Sequence, residues 1–515
     1  MRLRVRAGWV VACVASCVGI AFAGERPDGS PIAVANAPAA VVSEPGPERQ
    51  PSRPQPSRPQ PSRPQPLAPT DASRNDGADS AVTIVLGGDL GLGGSNEAVH
   101  AGGASRHGKR HAWRELTAGI APLIDGDLNF ANLETVVTDR NDLRANPKAF
   151  NFRSHPAGVR HLVDLGFNVF STANNHALDY GEAGVRETVR HLQALESHGL
   201  GAWPGIGLGR ELASRPGDVM AKGARVRVSS IGIGGNGIPP QSSGHGGPRA
   251  GMLSYHRPED FRETLARLAD AEGDLRILSV HYGAEMQVRP GYGDVAKLRD
   301  EAARGAGIDI VVGHHAHVPA GVQIVDGKLI LYGLGNLLHP GMQDMARFDV
   351  CRDYGLMVRV HMSRAAGGRL ELRAIESIPI TGMHARAEPL SGAEGRMRVE
   401  VLNHLASGLD AAEVGATGVR FTPRPDGSGL HCRPGADQEP GTIGALCRGW
   451  EPPPPPSAAA SRRIAGACGG VLVARRRGGR DAATNAGPGR ARVLRRTVQQ
   501  AQKGGSLLSS IFGGW

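Results

Sequence analysis

The chain has 515 residues with 40% hydrophobic and 21% charged content, enough apolar material for one large globular domain or two ordinary ones. Residues 461–515 hold eleven Lys or Arg against one acid, Asp481, and so carry the whole net charge of +10, leaving the remainder formally neutral. A neutral body and a basic tail without interleaved aromatics exclude a nucleic-acid-binding surface.

In chain order, residues 1–23 place Arg2, Arg4 and Arg6 before an apolar stretch from Ala7, with Ala21-Phe22-Ala23 as a small-residue cleavage site. This reads as a signal peptide, with two alternatives: an uncleaved anchor, since the stretch approaches the ~18 residues that cross a bilayer, and lipid attachment at Cys17 in Val14-Ala15-Ser16-Cys17. Residues 24–80 form a Pro-rich linker in which Pro-Ser-Arg-Pro-Gln occurs three times from Pro51 to Gln65. It cannot bury a core and is expected to be disordered and extended.

From residue 81 to 380 short apolar runs alternate with helical periodicity. Strands are expected at Val82 to Leu86, Leu128 to Leu133, Phe167 to Thr172, Val226 to Ile233, Leu275 to Val280, Ile308 to Val312, Val322 to Val325, Leu329 to Tyr332, Leu356 to His361 and Leu370 to Ile378. Helices are expected at Ala112 to Ile124, Gly158 to Leu165, Glu182 to His198, Pro258 to Glu272 and Val295 to Gly305. Strand and helix alternate and then strands dominate, which predicts packed α/β sheets with outer helices. Ligands gather at the carboxyl ends of strands in such sheets.

Residues 381–450 read as an extension with a closing helix from Met397 to Leu409 and a hairpin from Val419 to Cys432. After Pro452 to Pro456 interrupts, residues 451–515 form a low-complexity basic tail that is expected to be disordered. Once residues 1–23 are removed, Cys351, Cys432, Cys447 and Cys468 remain, none in a Cys-x-x-Cys pair, so no zinc-cysteine site is indicated. Cys432 and Cys447 alone are close enough in sequence to suggest a small stapled loop.

Five places share one design, an apolar strand followed by polar residues of metal-ligand type. They are Asp89; Glu134; Asn174, Asn175 and His176; His281 and Glu285; and His315 with His317. Singly each has a structural explanation, such as a glycine turn at Asp89 or helix caps at Glu134 and Asn175. Their repetition at successive strand ends points to one site. A carboxylate between two divalent cations offsets their repulsion, and imidazoles with an amide oxygen complete the shells. The donors are oxygen and nitrogen throughout, which suits one or two ions of manganese, iron or zinc. Gly232 to Gly237 matches a dinucleotide fingerprint, but Ile238-Pro239-Pro240 follows where a helix is needed. No Gly-x-Ser-x-Gly elbow and no Walker loop occur.

The ordered motifs Gly87-Gly88-Asp89, Asn132-Leu133-Glu134, Ala173-Asn174-Asn175-His176, His281-Tyr282-Gly283-Ala284-Glu285, Gly313-His314-His315-Ala316-His317-Val318 and Gly333-Leu334-Gly335-Asn336 resemble those of the capsule-synthesis CapA family. That family's fold is similar to calcineurin-like metallophosphoesterases, and the likeness runs from Val82 to about Ile380. It implies a two-sheet α/β sandwich flanked by helices, with Asp89, Glu134, Asn175, His281, His315 and His317 as metal ligands and Glu134 bridging. It implies His176 as the catalytic acid. Asn174, Glu285 and Asn336 are candidates for substrate contact. Asp89-Leu90-Gly91 lacks the histidine of the phosphoesterase Asp-x-His, which leaves one ion with fewer ligands, and Tyr282 and Ala316 replace a usual tryptophan and proline.

The resemblance implies a metal-dependent hydrolase of the capsule-synthesis type, in which His176 protonates the leaving group of a phosphoester or amide. The alternative is a non-catalytic protein that holds anionic poly-γ-glutamate during export or anchoring, because fold-level likeness does not establish activity. Either way the protein is expected to be exported, whether periplasmic, membrane-anchored or at the surface of a bacterium, with the membrane as a further partner through its N-terminus.

Overall fold

The computed structural model describes residues 81–234, 249–365 and 368–468, all within the unit Arg74–Trp515. The leader, the linker and residues 469–515 of the tail lie outside the described residues.

Two sheets form the frame. The first runs in the order Thr422–Pro423, Gly429–Cys432, Leu370–Thr381, Gly355–Arg364, Val82–Leu90, Leu128–Leu133, Val169–Ser171, with Asn336–Leu338 also paired to Val82–Leu90 and Glu388–Pro389 to Leu370–Thr381. The second runs Ala416–Gly418, Val322–Val325, Lys328–Leu331, Ile310–His314, Leu275–His281, Ala224–Gly232, Gly217–Ala221. The first is parallel at the end formed by Val82–Leu90, Leu128–Leu133 and Val169–Ser171 and antiparallel elsewhere along this order, and the second has a parallel centre with antiparallel edges. A single core lies between them: Ile84, Leu86 and Phe130 of the first sheet pack with Val226, Ile277 and Val312 of the second. The outer faces bury Leu162, Leu192 and Leu195 on one side and Phe261, Leu265 and Leu298 on the other.

Every strand expected between residues 81 and 380 is present, because each is either fully apolar or alternating. The central strands are buried on both faces, as covered parallel sheets are. The helices Pro156–Asp164 and Pro258–Asp270 both place proline in the first turn, where its missing N–H costs nothing. The expected helix from Val295 divides into Tyr292–Ala296 and a π-helix over Lys297–Gly305, and that from Ala112 shortens to Trp113–Thr117 with a 3-10 turn at Ala121–Leu123 around Pro122.

Beyond residue 380 the chain adds edge strands to both sheets, and helix Gly392–Ala406 packs against the strands. The stapled loop is present as the Cys432–Cys447 disulfide. A second disulfide, Cys351–Cys468, has no sequence signal because its partners are 117 residues apart. It holds the end of helix Ala458–Cys468, which lies in the stretch expected to lack regular structure.

Glu376 crosses between these strands, accepting from His361 Nε2 at 2.9 Å and Arg424 Nη1 at 2.6 Å. Burial alone would raise its carboxyl, but the two partners lower it from 4.5 to about 2. A depressed folded value stabilises the protein above the unfolded value, and that contribution is lost as pH falls from about 4.5 to about 2. Glu376→Gln is therefore expected to cost on the order of 3 kcal/mol at neutral pH. Urea titrations at pH 7 and pH 3 check this, with the deficit shrinking at the lower pH.

Candidate metal centre

The carboxyl ends of parallel strands from both sheets meet at one place. In the first sheet the register sets Asp89 beside Asn132 and Asn336, and Asn132 beside Ser171. In the second it sets Gly232 beside His281, and His281 beside His314. Gly88 permits the approach of the Asn336 strand, since a Cβ there would stand 2.0 Å from the Gly335 carbonyl oxygen. Asp89 N–H then donates to that same oxygen at 2.8 Å.

After His314 the chain leaves the strand with His315 at φ 89° and His317 at φ 57°. Left-handed backbone is costly for residues with a side chain and marks functional sites. Here it breaks the strand's alternation, so that His314, His315 and His317 all face the pocket. His315 Nδ1 lies 3.1 Å from His281 Nε2, and His317 Nδ1 lies 3.2 Å from Asp89 Oδ2. His314 Nδ1 is 3.1 Å from Asp89 Oδ1.

The donors fall into two groups that share one carboxylate. Ligand-type atoms of Glu134, His281 and His315 lie within 4.8 Å of one another, and so do those of Asp89, Glu134 and His317. Asn175 Oδ1 joins the first group, 2.6 Å from His281 Nε2. Asn336 Oδ1 stands 2.9 Å from His317 Nδ1 in the second. Glu134 is wholly buried, yet neither of its oxygens has a hydrogen-bond partner among the described residues. Burial and the neighbouring Asp89 charge push its carboxyl well above the ordinary range. Burial also opposes a charged imidazole at His317, but Glu134 and Asp89 raise it to about 10. Two buried carboxylates thus share the charge of His317, and the Glu134 oxygens have no hydrogen bond among the described residues, an arrangement suited to cations because buried charges persist only when paired or metal-bound.

The third acid–histidine group, Asp139 with Glu187 and His191, differs. Arg190 Nη2 already reaches Glu187 at 2.8 Å and Asp139 at 3.4 Å, so its charge is answered.

His176 borders the pair of groups with Nε2 3.9 Å from Glu134 Oε1, while its Nδ1 lies 2.7 Å from Asp179 Oδ2. Asp179 is ion-paired to the buried Lys148, whose Nζ also donates to the Asn175 carbonyl at 2.9 Å. Burial, followed by the Lys148 charge, lowers His176 well below the usual imidazole range. Asn174 is turned inward: it donates to Leu133 O at 2.9 Å and accepts from His176 N–H at 3.1 Å, so it positions the loop. Glu285 is exposed and close enough for its charge to act on Glu134 and His317.

Asn132, Asp179, Lys148 and His314 belong to the site although the sequence reading does not single them out. Asn132 donates to Asp89 Oδ1 at 2.9 Å and stands 3.1 Å from His281 Nδ1, linking the two sheets. Its signal lies in Asn132-Leu133-Glu134, since alternation puts Asn132 and Glu134 on one face. Lys148, in an irregular segment, offers none.

The probable polyglutamine synthesis accessory protein of Mycobacterium tuberculosis is 32% identical over 238 residues, covering 44% of this chain and 60% of that protein. The PGA biosynthesis protein CapA of Bacillus subtilis is 27% identical over 248 residues, covering 48% and 60%, and the capsule biosynthesis protein CapA of Bacillus anthracis 24% over 262, covering 50% and 59%. The match thus spans about 60% of the length of these relatives. A hypothetical protein from Thermus thermophilus covers 60% of this chain and 98% of its own at 15% identity, with a TM-score of 0.30 that carries no argument. The profile of the bacterial capsule synthesis protein PGA_cap matches residues 83–340, half of the chain, from the first strand of the frame through every strand end that lines the pocket. By that match this chain belongs to the PGA_cap family of bacterial capsule synthesis proteins.

Proposed function

We propose that this protein acts in the synthesis of poly-γ-glutamate or a related capsule polymer as a metal-dependent hydrolase with a metallophosphoesterase-like centre. The observation that carries the reading is the unpartnered, wholly buried Glu134 shared by two donor groups. Glu134, Asn175, His281 and His315 would hold one ion, and Asp89, Glu134 and His317 a second. Manganese, iron or zinc would polarise a phosphoryl or acyl oxygen there and lower the pKa of water towards ~7.

The chain's own residues do the rest. Asp179 orients the His176 ring through Nδ1 and leaves Nε2 facing the pocket. His176 can take up a proton at Nε2 and deliver it to the leaving group. Lys148 holds Asp179 in place, and Asn174 fixes the loop that carries Asn175 and His176. Glu285, exposed beside the pocket, would be available to substrate, whereas Asn336 is buried against His317. Two disulfides support export to an oxidising compartment. No helix among the described residues is long and apolar enough to cross a membrane.

Two substrates test the reading, a chromogenic phosphodiester and poly-γ-glutamate followed by chain length. Metal-dependent turnover of either is the expected result. Retention of the polymer without turnover of either would replace hydrolysis with polymer binding.

A further inference from the structure

One buried imidazole near the centre remains unused. His339 is wholly inaccessible, and neither its Nδ1 nor its Nε2 has a hydrogen-bond partner among the described residues. An imidazole always has at least one donor to satisfy, so burying both nitrogens unpaired opposes folding. A core position with no polar task would be filled better by leucine.

Its placement is specific. His339 follows the Asn336–Leu338 strand, whose register sets Asn336 beside Asp89 and Leu338 beside Leu90. Its own N–H donates to Met383 O at 2.7 Å, which fixes the backbone. The ring is held edge-on by Phe152 at 4.6 Å between centroids and stands edge-on to His317 at 6.3 Å. It covers Gly91, where a Cβ would meet Nε2 at 3.1 Å, Cε1 at 3.2 Å and Cδ2 at 3.3 Å. The strand that delivers Asp89 therefore has no side chain two residues on, and an imidazole from the adjacent strand fills that space.

Each donor group also has room for a further ligand. Glu134, His281 and His315 with the Asn175 amide oxygen make four donors, and Asp89, Glu134 and His317 with the Asn336 amide oxygen make four. Octahedral ions such as manganese take about six. We propose that His339 is a ligand of the ion held by Asp89, Glu134 and His317, supplied across the sheet over Gly91. This rests on the two-ion reading above.

The test uses the full chain stripped of metal and titrated with zinc by calorimetry, with elemental analysis at saturation and circular dichroism as the check on folding. The wild type is expected to take up two ions. His339→Leu should leave one of them unchanged and weaken the other roughly 10- to 100-fold, the range for disturbed metal sites. The paired variant Gly91→His with His339→Gly, which returns an imidazole to the same space from the first strand, should recover most of that loss. Wild-type affinity for both ions in a folded His339→Leu protein overturns the proposal. Should that variant not fold, cadmium-113 coupling to residue-assigned imidazoles of the wild type decides, since coupling at His339 is expected and its absence at full occupancy is contrary. A wild type that binds no metal at all would instead overturn the reading of the centre.

Discussion

Glu134→Gln is expected to stabilise the metal-free protein and to abolish its response to metal, two effects of opposite sign from one substitution. Burial and the Asp89 charge raise the Glu134 carboxyl, so without cations this group penalises the folded state at every pH above its unfolded value. Glutamine keeps the shape and removes that penalty. The same carboxylate belongs to both donor groups, so its loss removes a ligand from each ion at once. Zinc or manganese at 100 times its dissociation constant stabilises a folded protein by about 2.7 kcal/mol per site. The wild type should show that gain in thermal unfolding, and Glu134→Gln should show almost none, with affinity down by about 100-fold or more. An unchanged metal response in the variant would contradict a shared carboxylate.

His176→Ala is expected to separate chemistry from metal binding. The ring touches the centre only through Nε2, 3.9 Å from Glu134 Oε1, and its other nitrogen is committed to Asp179. Metal content and thermal stability in metal should stay near wild type, while turnover falls by about 10²- to 10⁴-fold, the usual contribution of a proton-transfer group. Asp179→Asn should reproduce part of that loss, because the amide can still hold the ring but cannot offset a positive imidazole. Turnover that survives His176→Ala at full metal occupancy would remove this residue from the mechanism.

The frame of this protein is legible in its sequence because the strands are apolar runs of the length that two covered sheets require. The three-residue strand Asn336–Leu338 is not, since it follows Gly333-Leu334-Gly335 and exists only through pairing with Asp89 and Leu90. Gly217–Ala221 is an edge strand with exposed Asp218 and Met220, and its composition looks like loop. In the pocket, strand-end position identifies Asp89, Glu134, His281 and the histidine loop. It does not tell that His314 joins His315 and His317, because the left-handed turns at His315 and His317 override the period of two. Asp179, Lys148 and His339 reach the site through loop paths and cross-sheet packing, which leave no local periodicity to read.

The most direct measurement is the metal content of the full chain, purified without added metal and then equilibrated with zinc or manganese. About two ions per chain are expected at saturation, falling sharply in Glu134→Gln. Absence of bound metal in the wild type, or equal content in both proteins, would contradict a centre built around Glu134.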